Sequence, residues 1–94
     1  MMEVPRYRPC ASAIFAELGD GTGVILDLQT KAYFTLNCTG VFVWKTIAAS
    51  PADARELAEK LAGEFAVEPH HAVGDIEALL RRLGDESLVE PAGE

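Results

Sequence analysis

The sequence is poor in the residues and segments that mark several classes of protein. It has only two cysteines, Cys10 and Cys38, which lie 28 positions apart and outside any CxxC or metal-ligand pattern. We therefore expect two free thiols rather than a disulfide. No apolar run approaches the roughly 18 residues of a membrane-spanning helix. The first residues also lack the basic, apolar and small-residue order of a signal peptide. Together these absences predict a cytoplasmic protein.

Basic residues are scarce as well. Eight Lys and Arg stand against fifteen Asp and Glu, which gives a formal net charge of −7 and a pI near 4.7. Proteins that bind nucleic acids neutralise phosphates with basic side chains, and anionic membranes attract the same kind of surface. The charge balance therefore predicts neither a nucleic-acid partner nor a membrane partner.

Signatures of catalysis are missing too. Cys38, His70, His71 and Asp75 supply the residue types of a nucleophile, a base and an orienting carboxylate, but no local motif relates them. The two histidines are neighbours at a predicted helix start, where successive side chains diverge by about 100°, so we expect them to share no metal ion. The glycines of "GDGTG" (19–23) lack the Lys-Ser/Thr of a phosphate-binding loop and precede a strand. The sequence predicts a non-enzymatic protein without metal or cofactor.

What is present is a series of strand patterns followed by helix patterns. The turn signal "GDG" (19–21) separates two alternating apolar segments, and a second turn is expected around Gln29 and Thr30. These signals predict three antiparallel strands, over residues 11–18, 22–28 and 31–36. A sheet this small needs helices over its apolar face.

Three helices are predicted to supply that cover. Asn37 is a suitable N-cap for a first helix that continues to about Ala48. In "SPAD", Ser50 is expected to cap a second helix, with Asp53 reaching back as in a capping box. The third helix is expected over residues 69–83, before Gly84. The fold class is therefore α+β, a three-stranded antiparallel sheet followed by three helices.

The two ends of the chain are expected to lie outside this arrangement. Residues 1–9 read as an extended arm, and the acidic segment after Val89 reads as a mobile tail. The prediction is one domain over residues 1–94, ordered over about 11–90.

A three-stranded meander has two edges, and each edge exposes unpaired backbone N–H and C=O groups unless something covers it. The third strand leads directly into the first helix, so its edge should lie near the helical layer. An extended peptide could add there as a fourth strand. The N-terminal arm or a second copy of the chain could cover the edge instead.

The most specific pattern in the chain is "YFTLNCTGVFVW" (33–44). It contains an aromatic residue, a spacer, Leu-Asn-x-Thr-Gly and an apolar run that ends in Trp. This pattern resembles the PqqD-like family of precursor-peptide recognition domains, also called RiPP recognition elements. The matching residues are Phe34, Leu36, Asn37, Thr39, Gly40 and Trp44. The resemblance covers about residues 11–90 and implies a winged-helix-like arrangement of three strands and three helices.

The resemblance also implies a peptide site between the third strand and the third helix. Members of the family bind the leader of a ribosomally made precursor peptide as an added strand. The implied strand contacts are Lys31, Ala32, Tyr33, Phe34 and Thr35, and the implied helix contacts are Val73, Ile76, Glu77, Leu80 and Arg81.

The implied function is that of a non-catalytic adaptor, which presents a precursor (leader) peptide to a maturation enzyme. A free-standing acidic chain of this size looks like the leader-binding protein of lasso-peptide pathways, which works with a cysteine-protease-type leader peptidase. Two alternatives stay open. One is a chaperone for the pyrroloquinoline quinone precursor, working with a radical-SAM enzyme. The other is a helix-turn-helix DNA-binding protein, although the third helix carries its only arginines, Arg81 and Arg82, near its C-terminal end.

Overall fold

A computed structural model describes residues 6–92 of the chain. The elements in chain order are β1 (Tyr7–Pro9), β2 (Ala13–Glu17), β3 (Gly23–Asp27), β4 (Tyr33–Leu36), α1 (Cys38–Ala49), α2 (Ala54–Glu64), α3 (Pro69–Asp85) and β5 (Val89–Pro91). The predicted fold class is confirmed, because β2, β3 and β4 form an antiparallel sheet and three helices follow it. Residues 1–5 of the predicted arm and residues 93–94 of the predicted tail lie outside the described part. Within residues 6–92, no helix has the length and apolar character needed to cross a bilayer.

The β2–β3–β4 meander has the alternation that its sequence predicts. In β3, Ile25 and Asp27 are buried on the inner face, whereas Leu26 is exposed on the outer face. The β2–β3 turn is closed by Asp20, whose Oδ1 accepts the N–H of Thr22 at 3.1 Å. Gly21 completes this turn with a φ of 91°, in the region that glycine occupies without steric cost.

A buried carboxylate holds the β3–β4 turn. Asp27 Oδ1 accepts the N–H of Gln29 at 2.9 Å, and the Asp27 C=O accepts the N–H of Lys31 at 2.8 Å. The hydrogen bond from the Gln29 backbone holds the pKa of Asp27 below its ordinary value, although burial acts in the opposite direction. A carboxyl group with a lowered pKa in the folded state stabilises the fold in its ionised form.

We therefore expect Asp27→Asn to flatten the acid dependence of stability. The contribution of the Asp27 carboxylate is present above its unfolded-state pKa of about 3.9 and is lost as the pH falls through its lower folded-state pKa. The difference in urea midpoint between wild type and Asp27→Asn should narrow from pH 7 to pH 3, because asparagine does not titrate. Parallel pH profiles for the two proteins would contradict this role of Asp27.

The 33–44 pattern builds the junction between β4 and α1. Asn37 is the N-cap of α1, as predicted, and its Oδ1 accepts the N–H of Gly40 at 2.9 Å and the hydroxyl of Thr39 at 3.0 Å. A Cβ at Gly40 would lie 3.0 Å from Leu36 Cδ2, which is tighter than ordinary packing. Trp44 is buried in the core. The conspicuous residues of this pattern therefore fix how the last strand meets the first helix.

The second helix begins later than the sequence suggested. Its N-cap is Asp53, which forms a reciprocal capping box with Glu56, whereas Ser50 is the C-cap of α1. Ala52 exchanges backbone hydrogen bonds with Tyr7, at 2.9 and 3.3 Å. The predicted start at Ser50 is wrong because this pairing holds the chain before Asp53 in an extended conformation.

The third helix begins at Pro69 as expected and continues through Gly84 to Asp85. Ser87 then takes a φ of 61°, so a serine rather than Gly84 adopts the left-handed conformation after the helix. The buried side of α3 consists of Ala72, Ile76, Leu80 and Leu83. They join one core cluster with the inner face of the sheet and with α1 and α2.

A second sheet, which the sequence did not predict, joins the two ends of the described chain. β1 and β5 pair antiparallel, with Arg8 opposite Glu90, and the side chains of this pair meet at 2.9 Å. The segment expected to be an extended arm and the start of the expected tail therefore pair with each other. Residues 6–9 of the arm do not cover the edge of β4.

Candidate functional site

The edge of β4 is the first component of the candidate site. The Asp27 N–H donates to the Ala32 C=O at 2.9 Å, which marks a hydrogen-bonded pair of the β3–β4 ladder. Such pairs alternate along an antiparallel ladder, so Phe34 bonds to β3 whereas the N–H and C=O groups of Tyr33 and Thr35 point away from β3. Because β4 is the outermost strand, four backbone groups face outward on this edge.

The C-terminal half of α3 lies beside this strand. The Arg82 guanidinium carbon is 5.1 Å from the centre of the Phe34 ring, within the range of a cation–π contact. The contact joins an exposed helix residue to a half-buried strand residue. It therefore fixes which side of α3 faces the β4 edge.

A cavity of about 430 Å³ continues from this contact along α3. We call it the α3 cleft. Its lining is mostly apolar or small, with a few polar groups at the rim, as is typical of ligand sites. The lining residues are Asn37, Thr39, Val43, Leu61, Val67, His71, Ala72, Asp75, Ile76, Ala78, Leu79 and Arg82.

The opposite edge of the sheet, on β2, is less open. The N–H of Ala13 donates to the C=O of Cys10 at 3.1 Å, so one edge group is already bonded. The Glu17 carboxylate meets Lys45 Nζ of α1 at 2.9 Å. An extended peptide therefore finds more unpaired backbone, and a cleft beside it, at β4.

The strand residues implied by the family resemblance lie where they were expected. Tyr33, Phe34 and Thr35 are on β4, and Lys31 and Ala32 complete the turn before it. Lys31 has a φ of 66°, which ends the straight edge at this point.

The helix residues implied by the resemblance lie on three different sides of α3. Ile76 and Leu80 are buried in the core, with 3% and 2% of their surface exposed. Val73 and Glu77 line a separate cavity of about 550 Å³ between α2 and α3. Arg81 is exposed and lines none of these cavities. Of the five positions, only Ile76 also borders the α3 cleft.

The helix face nearest to β4 was missed from the sequence. Asp75, Leu79 and Arg82 follow one another at spacings of four and three, so they form a stripe beside the buried one. That spacing is visible in the sequence. An equivalent flank lies on the other side of the buried stripe, at Val73 and Glu77, and periodicity alone cannot choose between the two.

The two cysteines lie apart from this cleft. Cys38 lines a larger cavity of about 940 Å³ on the other side of α1, and no histidine is among its lining residues within the described chain. Burial, together with the neighbouring Glu90 carboxylate, raises the pKa of the Cys10 thiol, and Cys10 Sγ lies 3.9 Å from Glu90 Oε1. A raised pKa lowers the thiolate fraction and hence the reactivity of Cys10.

His70 and His71 lie closer together than expected. Their ring centres are 5.1 Å apart, and together with Glu68 they present possible ligand atoms within 4.8 Å of one another. The argument that adjacent side chains diverge too far is therefore not met by these rings. All three side chains are exposed, and they stand at the N-terminus of α3, where the helix dipole opposes a cation.

Solved structures of similar fold include complexes with leader peptides. The structure of TbiB1 in complex with the TbiA(beta) leader peptide has a TM-score of 0.80 and 24% identity, with coverage of 93% of this chain and 99% of that chain. A lasso peptide synthetase B1 complexed with the leader peptide has a TM-score of 0.77 and 26% identity, with coverage of 90% of this chain and 98% of the other. No curated protein sequence matches the chain.

The family comparison covers most of the elements described above. The profile of coenzyme PQQ synthesis protein D (PqqD) matches residues 22–89, which is more than half of the chain. The match runs from the start of β3, through the β4–α1 junction, to the end of α3 and the first residue of β5. The chain therefore belongs to the PqqD family.

Proposed function

We propose that the protein is a leader-peptide adaptor, which binds the leader of a ribosomally made precursor as a fourth strand on β4. The observation that carries this proposal is the row of outward-facing backbone groups on β4, beside the α3 cleft. Strand addition uses backbone hydrogen bonds for affinity and side-chain pockets for selection. Family membership and the two similar structures with bound leader peptides support the same function.

In this arrangement the strand and the helix have different tasks. Tyr33 and Thr35 supply backbone donors and acceptors, and the turn at Lys31 and Ala32 limits the length of the pairing. Every second side chain of the added strand points inward, where it meets Leu79 and Ala78 of the α3 cleft.

The charged members of the helix stripe stand at the border of the site. Arg82 is held over Phe34, so its position is set before the peptide arrives. Ile76 and Leu80 support the cleft from the core.

The adaptor is proposed to be non-catalytic and to act with a separate enzyme in the cytoplasm, where precursor peptides are made. A cysteine-protease-type leader peptidase of a lasso-peptide pathway is the proposed partner, because a similar structure with 26% identity is a lasso peptide synthetase B1. A chaperone for the pyrroloquinoline quinone precursor, working with a radical-SAM enzyme, is the alternative that the family description favours.

The test is a fluorescence anisotropy titration with two labelled probes. One is the leader of the lasso-type precursor encoded beside this chain, and the other is a pyrroloquinoline quinone precursor peptide. We expect the first probe to bind more tightly. Labelled duplex DNA serves as a control and should not bind at physiological salt, because the net charge of −7 repels phosphate.

Hydrogen exchange locates the bound peptide. The amides of Phe34 and Leu36 already bond to β3, so they should exchange slowly with or without leader. The amides of Tyr33 and Thr35 should become protected only when leader is bound. New protection on β2, at Phe15 instead, would place the peptide on the wrong edge in this proposal, and failure of every probe to bind would overturn it.

A further inference from the structure

The side of the sheet that faces away from the helices is apolar and uncovered. Within the described residues, the large hydrophobic side chains with the greatest exposure include Tyr33 at 72%, Ile14 at 48%, Leu28 at 45% and Leu26 at 37%. The register sets Ile14 opposite Leu26, and Leu26 opposite Tyr33. These three side chains therefore form a row across all three strands.

The same side of the sheet carries no charge. Alternation along the strands, extended by the Ser12–Leu28 and Leu18–Thr22 backbone pairs, defines it. We call this the outer sheet face. Its residues are Ser12, Ile14, Ala16, Leu18, Thr22, Val24, Leu26, Leu28, Tyr33 and Thr35. None of them is charged, although 24% of the whole chain is. Contiguous exposed apolar surface of this kind marks interaction sites on soluble proteins.

The dimensions of the face argue against a second copy of the chain as its occupant. Three five-residue strands span roughly 14 Å by 17 Å, about 240 Å² in outline, whereas a stable interface buries about 800 Å² on each partner. Each copy also carries a net charge of −7, so two copies repel each other. A larger partner that also contacts neighbouring surface fits the face better.

Leader binding would enlarge the outer sheet face. An added strand on β4 extends the sheet by about 4.8 Å, and every second leader side chain then lies on the outer side. The enlarged face consists of three strands of the protein and one strand of the leader, so it exists only in the loaded adaptor.

We infer that the outer sheet face, completed by the bound leader, is the docking surface for the leader peptidase that processes the precursor. The peptidase would present an apolar patch with basic residues around it, because the apolar centre of the face lies on an acidic protein. The inference rests on the proposed function. It divides the leader between two readers, since inward-facing side chains contact the α3 cleft and outward-facing ones contact the enzyme.

Reciprocity gives this arrangement a measurable consequence. If leader raises the affinity of the adaptor for the enzyme, the enzyme raises the affinity of the adaptor for leader by the same factor. A composite surface therefore favours capture of loaded adaptor and discourages the enzyme from occupying empty adaptor.

The experiment uses the full chain, the synthetic leader and the purified peptidase encoded beside the precursor. Ile14→Glu places a charge on β2, two strands away from the leader, and Leu26→Glu does so at the centre of the face. Ile14→Val keeps the apolar surface, and Ala48→Glu adds the same charge at an exposed position on α1. Leader affinity is measured by anisotropy, and peptidase binding by biolayer interferometry with and without saturating leader.

Wild type should bind the peptidase at least tenfold more tightly when leader is present. Ile14→Glu and Leu26→Glu should bind leader within about twofold of wild type but lose at least tenfold in peptidase affinity, about 1.4 kcal/mol. Ile14→Val and Ala48→Glu should match wild type in both assays. Outward-facing leader residues changed to Glu should reproduce the loss without lowering leader affinity.

Three results would overturn the inference. The first is undiminished peptidase binding by folded Ile14→Glu and Leu26→Glu proteins. The second is peptidase binding that leader does not strengthen. The third is a wild-type dimer in sedimentation that Ile14→Glu dissociates, which would make a second copy the occupant. Absence of leader binding in the anisotropy arm would instead contradict the proposed function, so the two failures are distinguished.

Discussion

Thr35→Pro is expected to lower leader affinity about a hundredfold while leaving the protein folded. The Thr35 N–H points away from β3, so proline removes no hydrogen bond from the β3–β4 ladder, and edge strands tolerate proline in this orientation. The substitution does remove one donor from the site and places a ring where the added strand must approach. One lost hydrogen bond costs about 1 kcal/mol. We expect the displaced neighbouring bonds to bring the total to about 2.7 kcal/mol, which corresponds to a hundredfold.

Thr35→Ala is the matched control, because it changes the same side chain and keeps the N–H. Its leader affinity should stay within about threefold of wild type in anisotropy titrations, and both proteins should keep the wild-type circular dichroism spectrum. Equal, near-normal leader affinity in folded Thr35→Pro and Thr35→Ala would show that the leader does not pair with β4. It would leave the family membership of the chain untouched.

Acidic substitutions along α3 should separate residues that support the cleft from residues that line it. Leu80 is fully buried, so Leu80→Asp would place an unpaired charge in the core. Such a charge costs several kcal/mol, a large part of the 5–15 kcal/mol that stabilises a typical domain. Ile76→Asp should act in the same way. We expect both proteins to be largely unfolded in thermal melts followed by circular dichroism.

Ala78→Asp offers the contrasting case. Ala78 is exposed and lines the α3 cleft, so this protein should fold normally and bind leader at least tenfold more weakly. Ala48→Asp, on the exposed side of α1, controls for the added charge and should bind normally. A Leu80→Asp protein that stays folded and loses only leader binding would contradict this reading of α3, because Leu80 would then have to face the peptide.

The elements of the fold were predictable because local signals agreed with one another. Alternating apolar residues and the turn at 19–21 indicated the hairpin, and Asn37 indicated the strand-to-helix junction. Each of these signals acts over a few residues, through side-chain alternation or a cap, so it can be read without knowing the tertiary structure. The start of α2 was misread because two capping residues, Ser50 and Asp53, lie within one turn. A contact with distant Tyr7 selects the second of them.

By itself, then, the sequence determined the order of strands and helices, the apolar stripe of α3 and the resemblance that points to a peptide-binding edge. Only the tertiary structure decided which flank of α3 faces β4, since Asp75, Leu79 and Arg82 on one side and Val73 and Glu77 on the other are equivalent in periodicity. It also paired β1 with β5, across more than 80 positions of the chain. Both outcomes depend on how packed elements are rotated and placed relative to one another. That placement is set by the shared core, and no local pattern of side chains specifies it.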